Sequence, residues 1–267
     1  MVSGLFRSMR AHARAWGVLM AWRTAVQADV APGAPAARAS SRAAPPAFDA
    51  QTFDRAYFTE HSNYGGRYDW YNPPYKIAGY LREVRRQRPA GDLLDVGCAF
   101  GRFLERARHH YRVEGMDISA YALGLAREKL RGIPLHHAPI ETFSPGRTFD
   151  VVTCFDVLEH VPDLDLALQR LRTLLRPNGI LALAVPVYDT PPGRIFGLID
   201  RDPTHVHRHG RRFWLERLRA NSLEPVECKG ILRVPLPRFF IHVISPLFWR
   251  FSSAIFVVCA PRPPGGR

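Results

Sequence analysis

The sequence predicts an α/β fold: a doubly wound, mostly parallel sheet with helices on both faces. Three observations lead there. Apolar runs of strand character alternate with helical patterns from residue 92 onward, which requires crossover connections. The stretch 93–104, Leu-Leu-Asp-Val-Gly-Cys-Ala-Phe-Gly-Arg-Phe-Leu, passes from a strand through Gly97 and Gly101 into a helix. An acid, Asp117, closes the next strand pattern.

Composition narrows the class. A chain of 267 residues, 46% of them hydrophobic, suits one α/β domain with extensions. Its formal net charge of +13 points toward acidic partners. Lysine, however, occurs only at Lys76, Lys129 and Lys229. The rest of the basic charge is arginine beside much alanine and proline, a bias that GC-rich coding produces. With no nucleic-acid-binding motif, nucleic acid is not the expected partner. Cys98, Cys154, Cys228 and Cys259 form no Cys-x-x-Cys pair and read as core residues in a reducing compartment. The expected location is the cytoplasm, with association at a membrane surface as the alternative.

Residues 1–47 have no acid before Asp29, and Arg7, Arg10, Arg14 and Arg23 are basic. Phe6, Met9, Ala13, Trp16 and Met20 recur at helical spacing. Three readings stay open: a flexible tail, a surface-lying amphipathic helix, or a targeting peptide. The apolar run 15–22 is too short to span a bilayer. Residues 48–89 are dense in aromatics, from Phe53, Tyr57 and Phe58 to Tyr80, and 72–88 carries a helical pattern. This segment is either a lid over a pocket or a helix stapled to the domain.

Strands are expected at 92–96, 113–117, 135–138, 149–155 and 179–185, with helices at 101–111, 120–131 and 164–175. Pro177-Asn178-Gly179 reads as a helix stop and turn. In such sheets ligands bind at the carboxyl ends of the strands. Gly97 and Gly101 let main chain approach a small molecule, and the first helical N–H groups are free to meet it. Asp117 follows Asp95 by about twenty positions, the spacing of an acid that accepts ribose hydroxyls from a nucleoside at the first turn.

Together with the run 149–163, Phe-Asp-Val-Val-Thr-Cys-Phe-Asp-Val-Leu-Glu-His-Val-Pro-Asp, and the run 174–181, Leu-Leu-Arg-Pro-Asn-Gly-Ile-Leu, these motifs resemble class I S-adenosylmethionine-dependent methyltransferases. The similarity is strongest to the broad subgroup that includes quinone-biosynthesis O-methyltransferases, and it covers roughly residues 90–225. It implies a Rossmann-like sheet of seven strands, mostly parallel with an antiparallel last strand, in a domain over 90–262. Residues 211–221, 225–231 and 253–260 then supply the last helix and the last two strands. It implies S-adenosylmethionine as co-substrate. By the same resemblance Asp95, Gly97, Cys98, Ala99 and Gly101 shape the pocket around its amino-acid end and ribose. Asp117 takes the ribose hydroxyls, Ile118, Ile140 and Glu141 lie by the adenine, and Phe155 lies near the sulfonium. Ala99 departs from a glycine common in the family and is accommodated if its φ is negative.

Two groups are candidates for chemistry. Asp156, Glu159 and His160, at i, i+3 and i+4, share one face of a helical turn. They read as a general base or a divalent-metal site positioning a substrate oxygen, or else as a capping cluster under the cofactor. No metal is assigned. The segment 186–210 leaves from the ligand-binding edge, and there His205, in Asp202-Pro203-Thr204-His205, matches a histidine that recurs in the family. It is the first candidate for the catalytic role, while His207 and His209 read as solvated loop.

The apolar insertion 236–251 is expected to be a core-packing helix, a cover over a hydrophobic substrate, or a contact with a membrane surface. The function expected is methyl transfer to a small-molecule or lipid-like acceptor at oxygen. The alternatives are an RNA or protein methyltransferase and a non-catalytic S-adenosylmethionine-binding protein. A nicotinamide-dependent oxidoreductase would want a third glycine where Arg102 stands.

Overall fold

Strand β1 (Asp92–Val96) is buried along its whole length, and the sheet is assembled outward from it. The computed structural model describes residues 51–61, 67–236 and 238–262, so the readings of residues 1–47 lie outside the described residues. β1 pairs in parallel with β2 (Arg112–Asp117) on one side and β4 (Phe149–Phe155) on the other. β3 (Leu135–His137) extends the sheet beyond β2, and β5 (Leu175–Pro186) extends it beyond β4, again in parallel. The chain therefore winds away from the centre in both directions. The carboxyl ends of β1 and β4, where the order reverses, open a crevice.

The continuous apolar runs in β1 and β4 follow from burial on both faces. Leu93 and Leu94 are both fully buried. Truncating either to alanine would cost about 2–5 kcal/mol. Helix α1 is the short turn Tyr68–Tyr71. Helix α2 (Pro74–Gln87) starts at Pro74, where no N–H is needed, and presents Ile77, Tyr80, Leu81 and Val84 at helical spacing to the core. Helices α3 (Arg102–Ala107), α4 (Ala120–Lys129) and α5 (Leu164–Thr173) are the crossovers. Ser119 caps α4 through Ala122 N–H, and Asp163 caps α5 through Leu166 N–H.

Among the described residues the sheet has eight strands, in the order β3-β2-β1-β4-β5-β8-β6-β7. The fold class is the expected one, with one strand more than the seven expected. β8 (Ala254–Pro261) lies antiparallel between β5 and β6 (Leu223–Pro235). The extra strand, β7 (Phe240–Ser245), pairs antiparallel with β6. It comes from the apolar insertion, which is therefore neither a core helix nor a loop. Its buried residues are Phe240, His242 and Ile244, at the period of two that a strand requires. A single turn of 3₁₀ helix, Pro246–Phe248, follows. β5 also begins earlier than expected. Pro177, Asn178 and Gly179 form an irregularity inside it, between the pairs Phe149–Leu175 and Val151–Ile180.

The segment 186–210 contains a helix, α6 (Pro191–Ile199), capped by Thr190 through Gly193 N–H, and is followed by α7 (Arg211–Ala220). At the opposite end of the sheet, Asp92 meets Arg112, Arg147 and Arg176, and Asp150 meets Arg88 and Arg176. The guanidinium of Arg112, with its neighbours, outweighs burial and holds the Asp92 carboxyl well below the usual range. Among the described residues no helix is long and apolar enough to cross a membrane.

Candidate active site

The turn after β1 is held by β2. Gly97 N–H and Cys98 N–H both donate to Met116 C=O, at 2.9 and 3.0 Å. Ala99 N–H donates to Asp117 Oδ2, and Ser119 N–H to Asp117 Oδ1, each at 2.8 Å. Gly97 has φ +73°, and a Cβ there would lie 2.3 Å from Val157 Cγ2. Ala99 has φ +45°, not the negative value expected. The Asp117 bond fixes it in this left-handed conformation, at a cost of about 1–2 kcal/mol. Gly101, φ +72°, faces the protein: its Cβ would lie 2.4 Å from Leu130 Cδ1. It shapes the turn by close packing of α4 on α3 rather than by bordering ligand space.

The crevice above this turn is a cavity of about 180 Å³. Asp95, Gly97, Cys98, Ala99, Asp117, Ile118, Ile140, Glu141 and Phe155 all border it, which leaves Gly101 alone of the expected set outside. Asp117 is buried, and its two oxygens each accept one backbone N–H, leaving lone pairs for further donors. Burial raises its pKa and the backbone donors partly restrain the rise. Burial likewise pushes Asp95 up to about 7, against a hydrogen bond from Thr153 Oγ at 2.6 Å. Aromatics from the amino-terminal segment close the cavity: Phe53, Tyr57, Phe58 and Tyr68 line it, and Tyr68 meets Phe100 at 4.3 Å between ring centroids. Tyr80 lies flat on Phe155, centroids 4.3 Å apart. A nucleoside fits this donor and acceptor set, with Asp117 for vicinal hydroxyls, main chain of the turn bordering the space, and apolar side chains for the base.

A second, larger cavity of about 380 Å³ adjoins the first. Tyr57, Lys76, Asp156 and His160 border both. Its other walls are α6, the end of β6, and Phe240 and Phe251.

Three of the four expected reactive groups meet here. Glu159 and His160 sit on a 3₁₀ turn (Leu158–His160) after β4, and one ligand atom from each of Glu159, His160 and His205 lies within 4.8 Å of the others. Such a set can hold a divalent ion. Asp156 does not join them, contrary to the shared-face reading. It stands before the 3₁₀ turn at φ +56°, and its carboxylate accepts from Lys76 Nζ at 3.1 Å and Arg233 Nη2 at 2.6 Å. Burial pushes the Asp156 pKa up, but Arg233 and Lys76 outweigh it and hold the group ionised.

Thr204 Oγ donates to Asp202 Oδ1 at 2.6 Å, and its N–H reaches the same oxygen at 3.0 Å. His160 Nδ1 lies 2.8 Å from Thr204 Oγ. His160 is neutral, because burial, then the His205 charge, pushes it down to about 4. His205 Nδ1 donates to Asp200 Oδ2 at 2.7 Å, and Tyr188 OH donates to the same oxygen at 2.8 Å. Burial alone would lower the His205 pKa; Asp200 and Glu159 reverse the sign and raise it. Glu159 is buried, its Oε2 has no protein partner, and burial followed by the Asp156 charge pushes it up to about 8. His207 is not solvated loop: its Nε2 bonds Val161 C=O at 2.8 Å. His209 stacks on Phe213 with centroids 3.6 Å apart.

Sequence reasoning missed Lys76, Arg233, Asp202 and Thr204. A signal existed for Lys76, a rare lysine on the apolar face of α2. For Arg233 there was none, because it lies on the part of β6 past the strand expected at 225–231, and its partners Asp156 and Tyr80 come from distant elements.

A glycine turn over a parallel switch point, with a buried acid at the next strand end, defines a nucleoside-binding α/β protein of the methyltransferase type. Residues 68–227 match the methyltransferase domain family, and the chain belongs to that family, the class I S-adenosylmethionine-dependent methyltransferases. It is similar to the dTDP-3-amino-3,6-dideoxy-alpha-D-glucopyranose N,N-dimethyltransferase of Streptomyces fradiae, 35% identical over 47% of this chain and 52% of that one. It is also similar to the ubiquinone biosynthesis O-methyltransferase of Paraburkholderia xenovorans, 30% identical over 55% of this chain and 71% of that one. The match thus spans only about half the length of the Streptomyces enzyme. Among solved structures, the 1,6-didemethyltoxoflavin-N1-methyltransferase of Burkholderia thailandensis, with bound S-adenosylhomocysteine, shares the fold at TM-score 0.55 and 20% identity, over 78% of this chain and 87% of that one. Residues 68–227 are thus a methyltransferase domain of the S-adenosylmethionine-dependent class.

Proposed function

We propose that the first cavity holds S-adenosylmethionine and the second an apolar small-molecule or lipid-like acceptor, methylated at oxygen. The shared wall of Tyr57, Lys76, Asp156 and His160 carries this reading, since methyl transfer needs donor and acceptor in line across one boundary. The donor supplies an electrophilic methyl group. Asp117 orients its ribose, and the aromatic lid excludes water.

His205 is the base. Asp200 fixes Nδ1–H, so Nε2 is the free acceptor, and a raised imidazole pKa suits removal of a hydroxyl proton. His160, neutral and bordering both cavities, orients the acceptor. A hydroxyl nucleophile needs such a base, whereas a neutral amine attacks before losing its proton. This favours the oxygen acceptor named for the Paraburkholderia relative over the amino sugar named for the Streptomyces one. Ile195, Ile199 and Phe251 border the second cavity while 63%, 56% and 54% exposed, an apolar entrance suited to a lipid-like acceptor or a lipid surface.

The test is incubation with labelled S-adenosylmethionine and a cell extract split into lipid, small-molecule, RNA and protein fractions. Label in the lipid or small-molecule fraction supports the reading, and label confined to RNA or protein overturns it. Vesicle flotation of wild type against Leu198→Asp tests the surface contact, equal partitioning removing it.

A further inference from the structure

Two cations and one carboxylate meet at the boundary between the cavities. Lys76 Nζ bonds Asn72 Oδ1 and Asp156 Oδ2, each at 3.1 Å, and its side chain is 6% exposed. Arg233 Nη2 bonds Asp156 Oδ1 at 2.6 Å and Tyr80 OH at 2.8 Å, while its buried Nε has no partner. Each oxygen of Asp156 thereby accepts from one cation. His242, opposite Arg233 in the β6–β7 ladder, adds no charge, because burial with Arg233 and Lys76 pushes it down to about 2. By formal charge the two cations outnumber Asp156 by one; burial lowers the Lys76 pKa against the pull of Asp156, so Arg233, with its unpartnered Nε, is the cation left to be met in a largely apolar wall. A buried charge without a counter-charge is costly unless something supplies one.

Arg233 borders only the second cavity, where Val234, Pro235 and Phe240 stand beside it. We infer that the acceptor is an acid: an apolar molecule whose carboxylate or comparable anionic group pairs with Arg233, and through it with Lys76, beside the atom that receives the methyl group. This rests on the reading of the second cavity as the acceptor site. A guanidinium with an unpaired Nε–H and a planar fork suits a carboxylate, and such charge-assisted bonds discriminate strongly against neutral isosteres.

The test uses octanoate and octanol as matched probes, titrated calorimetrically into the full chain saturated with S-adenosylhomocysteine. Octanoate is expected to bind roughly tenfold tighter than octanol. Arg233→Gln should abolish that preference and Arg233→Lys should keep most of it. The Gln variant leaves Lys76 and Asp156 as a balanced pair, so it should fold, which circular dichroism checks. Equal binding of the two probes, absence of octanoate binding, or a preference that survives in Arg233→Gln overturns the inference. So does a loss of S-adenosylhomocysteine affinity in Arg233→Gln, which would give the cation to the donor's own carboxylate. Failure of the wild-type chain to bind S-adenosylhomocysteine overturns instead the donor reading on which this rests.

Discussion

His160 donates to Thr204, and not the reverse. The threonine hydroxyl has one hydrogen, and it is committed to Asp202 Oδ1 at 2.6 Å, so at 2.8 Å Nδ1 of His160 must carry the proton. The ring's Nε2 is consequently an acceptor at the junction of the two cavities. Thr204→Val removes the constraint on the tautomer and leaves Nδ1–H unpaired. We expect kcat to fall roughly fivefold to tenfold, the worth of about one buried hydrogen bond, with little change in S-adenosylhomocysteine affinity. Steady-state kinetics beside calorimetry separates the two.

His205 and Asp200 should govern the acid limb of the pH profile. The base acts unprotonated, and its raised pKa places the limb above the ordinary histidine value, so activity rises with pH through it. Asp200→Asn removes the largest raising influence and should move the limb to lower pH while reducing kcat. His205→Gln should cost about a hundredfold to ten-thousandfold in kcat. A limb that stays put in Asp200→Asn would detach the pair from the proton transfer. The stability linkage has the opposite sense: a histidine with a raised folded pKa stabilises below its unfolded pKa, and that contribution is lost as pH rises through the folded one.

Asp117 combines two tasks. Asp117→Ala removes the acceptor proposed for the ribose hydroxyls and also frees Ala99 N–H. Affinity for S-adenosylhomocysteine should drop by about a hundredfold or more, the loss of two charge-assisted bonds. An unchanged Kd would remove Asp117 from the donor site.

Ala99→Gly should stabilise the protein. Glycine takes the left-handed conformation freely, whereas alanine pays about 1–2 kcal/mol for it, and the added entropy of the unfolded glycine returns about 0.5–1 of that. The net gain is roughly 0.5–1 kcal/mol, visible as a rise in Tm.

Asp92→Asn tests the ion network at the far end of the sheet. A carboxyl whose folded pKa is depressed stabilises above its unfolded pKa, and the effect fades as pH falls through the folded one. The variant should be less stable than wild type at pH 7 by roughly 1–3 kcal/mol, and denaturant melts should converge as pH falls well below 4.

The central sheet was legible because β1, β4 and β5 announce themselves as buried apolar runs, and because glycines at 97 and 101 break the chain beneath the first cavity. Asp117 was legible from its strand end only in combination with the glycine turn and its spacing from Asp95. The hairpin was not. Leu236 to Phe251 is apolar enough to suit a helix, a lid or a strand, and only pairing with β6 selects the period of two. The sign of φ at Ala99 also lay beyond the sequence, because it depends on a carboxylate reached from the next strand. The partners of Asp156 come from α2 and β6, elements that nothing local to residues 149–163 announces.

The match to the methyltransferase domain ends at residue 227, in the middle of β6. Leu232, Arg233, Val234, Pro235 and Phe240, which wall the second cavity, all lie past that point. The second cavity thus joins walls from the matched domain, such as α6 and His205, to a wall supplied by the hairpin beyond it. The hairpin can diverge, or be exchanged for another, without touching the turn at Gly97, and any such change would reshape one wall of the second cavity while leaving the first cavity's lining in place.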